Sequence, residues 1–214
     1  MDKIIKKYLY KEYEELNWCI EKEVMYQRDM RASVDYDEEY YKKYIGYENT
    51  NIAKGINKGR SDITKKYCNA ILDIGIGSGE FIKNSTIKTY GFDINEVAIK
   101  WLKDNDIFID PYRSIPDDIE GLCFWDSMEH IPEPSNLLEK IKKNVYLFVS
   151  MPIFYDLFKV KESKHYRPNE HYYYFTSFGL ISYMNDLNFK IIEMQDFETQ
   201  SGREDIKTFV FKKY

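Results

Sequence analysis

The run Ile71-Leu72-Asp73-Ile74-Gly75-Ile76-Gly77-Ser78-Gly79-Glu80-Phe81 constrains this chain more than any other segment. It reads as a short buried strand that ends in an acid, a glycine-rich turn, and the start of a helix. Missing side chains at Gly75, Gly77 and Gly79 let the backbone turn sharply and approach a ligand closely. A helix N-terminus adds free N–H groups. The spacing departs from the dinucleotide pattern Gly-x-Gly-x-x-Gly, which needs glycine at the position of Glu80. A carboxylate there repels a pyrophosphate, whereas Asp73 suits a cation. The turn therefore favours a ligand that joins an ammonium group to a nucleoside.

A second acid extends the pattern. Lys88 to Asn95 predicts the next strand, which ends in Asp93 and is followed by Ile94. In doubly wound folds an acid about 20 residues beyond the first strand accepts hydrogen bonds from both ribose hydroxyls. Asp73, the three glycines and Asp93 together resemble the cofactor motifs of class I S-adenosylmethionine-dependent methyltransferases, and the resemblance runs from about Arg60 to the C-terminus. Farther on, Gly121 to Pro134 contains Glu129-His130-x-x-x-Pro134. It is similar to the Glu-His segment of small-molecule members such as those of ubiquinone biosynthesis. Ser163–Arg167 and Gly202–Asp205 resemble small methyltransferase-like proteins of phage and prophage.

The resemblance implies S-adenosylmethionine as cofactor, with Asp73, Gly75, Gly77, Gly79, Asp93 and Ile94 in its pocket. It also implies that Arg60 holds the methionine carboxylate; the competing reading is a solvated arginine. Asp110 either accepts from the adenine amino group or caps a turn. The implied fold is an α/β, Rossmann-like, doubly wound, seven-stranded and mostly parallel sheet whose last strand is antiparallel.

Periodicity supports that architecture. Strands are expected near 70–74, 88–93, 107–110, 119–126, 144–151, 189–197 and 206–213, with helices near 79–84, 95–105, 135–142 and 176–187. Alternation of this kind predicts a parallel sheet covered on both faces. The last two strands are joined by the short turn Thr199–Asp205, so they pair antiparallel. Ligands bind at the carboxyl ends of such strands, which sets Asp73, Asp93, Asp110 and Asp126 on one rim. Upstream, Ile5, Leu9, Tyr13, Leu16, Ile20 and Val24 recur near a helical period, predicting an amphipathic helix or helix pair over residues 3–28. Further helices are expected at 36–47 and 57–67. The expected organisation is a helical extension over 1–55 and a methyltransferase domain over 56–214, with a lid or substrate insertion at about 153–176.

Composition narrows the partners. A net charge of −5 over 214 residues argues against a generic nucleic-acid coat. Nucleic acid is left open but not favoured, because Trp125-Asp126-Ser127-Met128 stands where exocyclic-amine DNA methyltransferases carry Asp/Asn-Pro-Pro-Tyr/Phe. Lys159, Lys161, Lys164 and Arg167 in the insertion suggest a small or anionic acceptor. The longest apolar run, Val145–Phe154, is about half a membrane span. Three cysteines without metal-like spacing read as reduced thiols, so a cytoplasmic location is expected. Oligomeric state is not legible.

For catalysis, Asp126 ends the fourth strand of the sheet, where it either acts in catalysis or caps the next turn. His130 and His171 are candidate bases for a hydroxyl or amine attacking the activated methyl group. His165, Glu170 and His171 match no strong ligand spacing, so no metal is expected. Arg203, in the last turn, is near enough in sequence to the final strands to reach the pocket. A non-catalytic cofactor-binding module is the alternative reading.

Overall fold

The computed structural model describes residues 2–29, 50–168 and 170–214. The first described segment is not the amphipathic helix expected over residues 3–28. A single 3-10 turn at Ile5–Lys7 leads into three short strands, β1 (Lys11–Tyr13), β2 (Leu16–Cys19) and β3 (Val24–Gln27). Two left-handed residues make the turns, Glu14 at φ 53° and Glu23 at φ 43°. The apolar period misleads here: Leu9 is 82% exposed, whereas all four residues of β3 are buried. Pairing across a sheet, absent from any local pattern, overrides the helical period. The helix expected at 36–47 lies outside the described residues.

Helix α1 (Asn51–Lys65) starts where Thr50 accepts a hydrogen bond from the Ala53 N–H. Its inward stripe combines Ile56 and Ile63 with the polar Asn57, Arg60, Ser61 and Thr64. The alternating segment follows as β4 (Ala70–Ile74), α2 (Glu80–Asn84), β5 (Lys88–Phe92), α3 (Glu96–Asp104) and β6 (Gly121–Trp125). Then come α4 (Ser135–Leu138), β7 (Tyr146–Pro152), β8 (Tyr173–Phe175) and α5 (Ser177–Asp186). The chain closes with β9 (Phe189–Gln195), α6 (Phe197–Gln200) and β10 (Ile206–Lys213). Every residue of β4 and β6 is buried, as parallel strands covered on both faces require.

The main sheet has six strands in the order β5-β4-β6-β7-β10-β9, not the expected seven. The segment expected at 107–110 lies alongside β5 but makes only an isolated bridge, Phe108 to Gly91. With one bridged pair it is too short to count as a strand. β4, β5, β6 and β7 pair in parallel, and β10 runs antiparallel to both neighbours, so the sheet is mostly parallel with a reversed last strand.

A second sheet, β1-β2-β3-β8, is antiparallel. β8 belongs to the 153–176 segment, so that segment and the N-terminal strands form one layer. Ile4, Ile5, Val24 and Tyr26 share a core with Leu122, Val149 and Phe209 of the main sheet. Lys22 anchors the layer to α5 through Asp186 at 2.7 Å.

Candidate active site

The carboxyl edge of the main sheet gathers the predicted acids. Asp73 lies within β4 and is 1% exposed. Its Oδ1 is buried and has no hydrogen-bond partner. Burial pushes its carboxyl well above the ordinary range, with Arg60 opposing and Asp93 reinforcing the shift. The glycine turn follows at once, with φ of 79°, 56° and 75° at Gly75, Gly77 and Gly79. These left-handed angles are costly for any residue with a Cβ. At Gly75 a Cβ would also stand 2.7 Å from the Ser127 Cβ. Ser127 is there because its Oγ donates to the Ile74 carbonyl at 2.5 Å, tying the loop after β6 to the end of β4.

Asp93, one residue beyond β5, meets this turn. Its Oδ2 accepts from the Gly77 N–H at 3.3 Å and its Oδ1 from the Asn95 N–H at 2.9 Å. Burial raises its pKa while these N–H groups oppose the rise. Asn95 caps α3 by accepting from the Val97 and Ala98 N–H groups. Next to Asp93, Ile94 is 65% exposed, an apolar surface at the edge of the turn. Asp110 accepts from the Tyr112 N–H at 3.0 Å and pairs with Arg113 at 3.4 Å, which is the turn-capping arrangement.

Arg60 and Asp126 meet in a cluster of four charged side chains. Arg60 Nε and Nη2 donate to Glu198 at 2.8 and 3.0 Å, and Nη2 also donates to Asp126 Oδ2 at 3.0 Å. Arg203 grips Asp126 with two nitrogens at 2.7 and 2.9 Å and reaches Glu198 at 2.5 Å. The Arg60 guanidinium lies 4.9 Å from the Trp125 ring. Burial alone would raise the Asp126 carboxyl, but Arg203 and Arg60 outweigh it and hold it well below the usual range. Such a carboxylate is a poor proton acceptor. Arg60 is thus a buried, doubly paired cation and not a solvated arginine.

Sequence reasoning misses Glu198. It sits on α6, inside a stretch that reads as strand end and turn, and Asp196-Phe197-Glu198 is the available helix-start signal. Gly59 permits the contact, since a Cβ on it would come within 2.5 Å of the Phe197 ring. α6 therefore packs directly on α1 and brings Glu198 to Arg60.

The third group follows β6. A 3-10 turn, Met128–His130, carries Glu129 and His130. Glu129 is 1% exposed, and neither carboxylate oxygen has a hydrogen-bond partner. Burial, reinforced by Asp126, pushes its carboxyl well above the ordinary range. His171 comes to the same place because the next residue, Tyr172, donates its N–H to the Glu129 carbonyl at 2.8 Å. The His130 and His171 rings pack edge to face, 4.7 Å apart. Burial lowers both pKa values, that of His171 to about 3 with His130 adding to the shift, so both imidazoles are neutral near pH 7. His165 is elsewhere, its Nε2 2.9 Å from the Glu204 carbonyl, and Glu170 pairs with Arg167.

The basic residues of the 153–176 segment are largely spent on acids of this chain. Lys161 pairs with Glu14 and Glu15, Lys164 with Glu204, and Arg167 with Glu170. A groove of about 430 Å³ along the segment is lined by acids as well as lysines, including Asp156, Glu162, Lys159 and Lys164.

A family model described as a methyltransferase domain matches residues 39–194. The chain belongs to this methyltransferase family. No curated protein matches it. Among solved structures, the mitomycin 7-O-methyltransferase MmcR is similar with a TM-score of 0.62 at 9% identity, over 82% of this chain and 57% of that one. This chain therefore spans little more than half the length of that enzyme. The CcbJ methyltransferase from Streptomyces caelestis gives 0.59 at 9% identity, over 86% of this chain and 99% of its own. The magnesium protoporphyrin IX methyltransferase from Synechocystis, solved with bound SAH, gives 0.54 at 13% identity, over 82% and 94%. At these identities the likeness is one of fold, α/β and Rossmann-like.

The cofactor expected from the sequence motifs is S-adenosylmethionine. The residues present fit it. An orphaned buried carboxylate oxygen on Asp73 suits a cationic group, and it stands directly before a turn of three left-handed glycines. No described helix is long and apolar enough to cross a membrane, and the three cysteines are buried free thiols.

Proposed function

We propose that this methyltransferase binds S-adenosylmethionine along the edge formed by Asp73, the Gly75–Gly79 turn and Asp93, and methylates a small acceptor that approaches beside the 153–176 segment. The observation that carries this reading is the unpartnered, buried Asp73 Oδ1 directly before a turn of three left-handed glycines. Asp73 takes the cofactor ammonium. Asp93, already oriented by two backbone N–H groups, takes the ribose hydroxyls, and the exposed side chain of Ile94 covers one face of the adenine. Bound there, the cofactor supplies an activated methyl group on a good leaving group.

The chain's own work is then alignment and proton removal. His130 is the candidate base for an attacking hydroxyl or amine, since burial holds the pKa of His171 at about 3, too low for that role; Asp126, held by two arginines, serves to fix the loop that carries Glu129 and His130. Arg60, in the same cluster, sets the field felt by Asp73. The mixed charge of the 153–176 groove supports a small acceptor of low net charge over a polyanion.

The test has two parts. Calorimetry with S-adenosylmethionine is expected to show one site per chain, weakened in Asp73→Asn. Methyl-labelled cofactor incubated with fractionated small-molecule extract is expected to label one fraction. Binding without transfer to any fraction would favour a non-catalytic cofactor-binding module.

A further inference from the structure

The Glu129 carboxylate poses a problem that the methyl-transfer reading does not solve. A buried acid normally finds hydrogen-bond donors, because leaving it bare costs several kcal/mol. Glu129 is 1% exposed, and both of its oxygens lack a partner. The cations nearby are engaged elsewhere: Arg60 and Arg203 hold Asp126 and Glu198, and Arg167 holds Glu170. Two imidazoles face the bare carboxylate instead. One carboxylate oxygen of Glu129 and one ring nitrogen each of His130 and His171 all lie within 4.8 Å of one another.

Three local features hold this group together. The 3-10 turn sets Glu129 and His130 side by side. The Tyr172 N–H to Glu129 carbonyl bond brings His171 across from a distant part of the chain. The edge-to-face contact of the two rings fixes their relative tilt. Nothing in the sheet or in the cofactor edge requires two histidines and an acid to converge here.

We propose that Glu129, His130 and His171 form a binding site for a divalent first-row transition cation. The donor set, one carboxylate oxygen and two imidazole nitrogens, is the chemistry such ions prefer, and it leaves coordination positions open. Bonds of about 2.0–2.2 Å place two ligand atoms at most about 4.4 Å apart. The spread of 4.8 Å therefore closes with a small turn of the side chains. Magnesium, which selects oxygen ligands, is a poor match. In the methyltransferase the open positions would receive an oxygen of the acceptor and favour its ionised form. That use rests on the function proposed above, whereas cation binding does not.

The test takes the full chain, stripped with a chelator and dialysed. Titration with Zn²⁺ or Co²⁺ is expected to show one ion per chain, with Mg²⁺ in excess failing to compete. The Co²⁺ complex is expected to show visible bands of a nitrogen–oxygen site. Glu129→Gln and His171→Gln are each expected to weaken binding at least about tenfold while leaving S-adenosylmethionine affinity intact. Should one variant fail to fold, His130→Gln takes its place. Failure of wild-type protein to bind one ion, or equal binding by the variants, overturns the site. Loss of cofactor binding with cation binding retained would count against the proposed function alone.

Discussion

Removing Glu198 should expose how strongly the charged cluster holds α1, β6 and the last turn together. Glu198 is fully buried and accepts from both Arg60 and Arg203. In the native protein two guanidiniums face two carboxylates. Glu198→Ala leaves both guanidiniums to Asp126 alone, so one buried positive charge loses its partner. Breaking a fully buried pair costs about 3–5 kcal/mol. Arg203 keeps 31% of its side-chain surface in water, so the lower end applies, about 3 kcal/mol. For a protein of this size that lowers Tm by about 6–12 °C. Urea unfolding followed by circular dichroism measures the loss. The double variant Glu198→Ala/Arg203→Met restores one guanidinium to one carboxylate, and it should be more stable than the two single losses added together. A loss under about 1 kcal/mol, or strict additivity, would refute the reasoning.

Other consequences follow from the cofactor edge. Asp93→Asn removes the charge that would receive the ribose hydroxyls; hydrogen bonds to a charged group are worth about 1.5–3 kcal/mol. Calorimetry should show S-adenosylmethionine binding weakened by roughly ten- to a hundredfold, and unchanged affinity would remove Asp93 from the site. Gly75→Ala forces a Cβ into a left-handed position 2.7 Å from Ser127, with an expected loss of about 2–4 kcal/mol in chemical denaturation. A fully stable variant would mean that the turn has room for a side chain. Burial raises the Asp73 carboxyl, so its contribution to stability is complete below its unfolded pKa, near 3.9, and is lost as pH rises through the folded value. The stability of wild type relative to Asp73→Asn should therefore fall as pH rises above about 4; a difference that is flat or rises with pH contradicts this environment for Asp73.

Much of the geometry of the candidate cofactor edge is legible in the amino-acid sequence. Asp73, the three glycines and Asp93 lie close together along the chain, and each has a role that follows from local chemistry: left-handed angles only glycine tolerates, and acids at strand ends. The alternation of buried strands with amphipathic helices is likewise local, and it places all six strands of the main sheet within a few residues. The expectation fails where pairing partners decide. Residues 3–28 have a helical period, yet they form strands because β8 offers an edge to β3. The segment 107–110 has strand-like residues, yet β5 gives it only one bridge.

The amino-acid order by itself therefore determined the glycine turn with its flanking acids and the layered α/β plan, because both depend on intervals of a few residues. Only the folded chain decided that Arg60 and Asp126 share a cluster with Glu198 and Arg203, and that His171 lies against His130 over a bare Glu129. Those contacts join residues far apart along the chain. Burial and the absence of a hydrogen-bond partner are properties of packing, which no window of sequence contains.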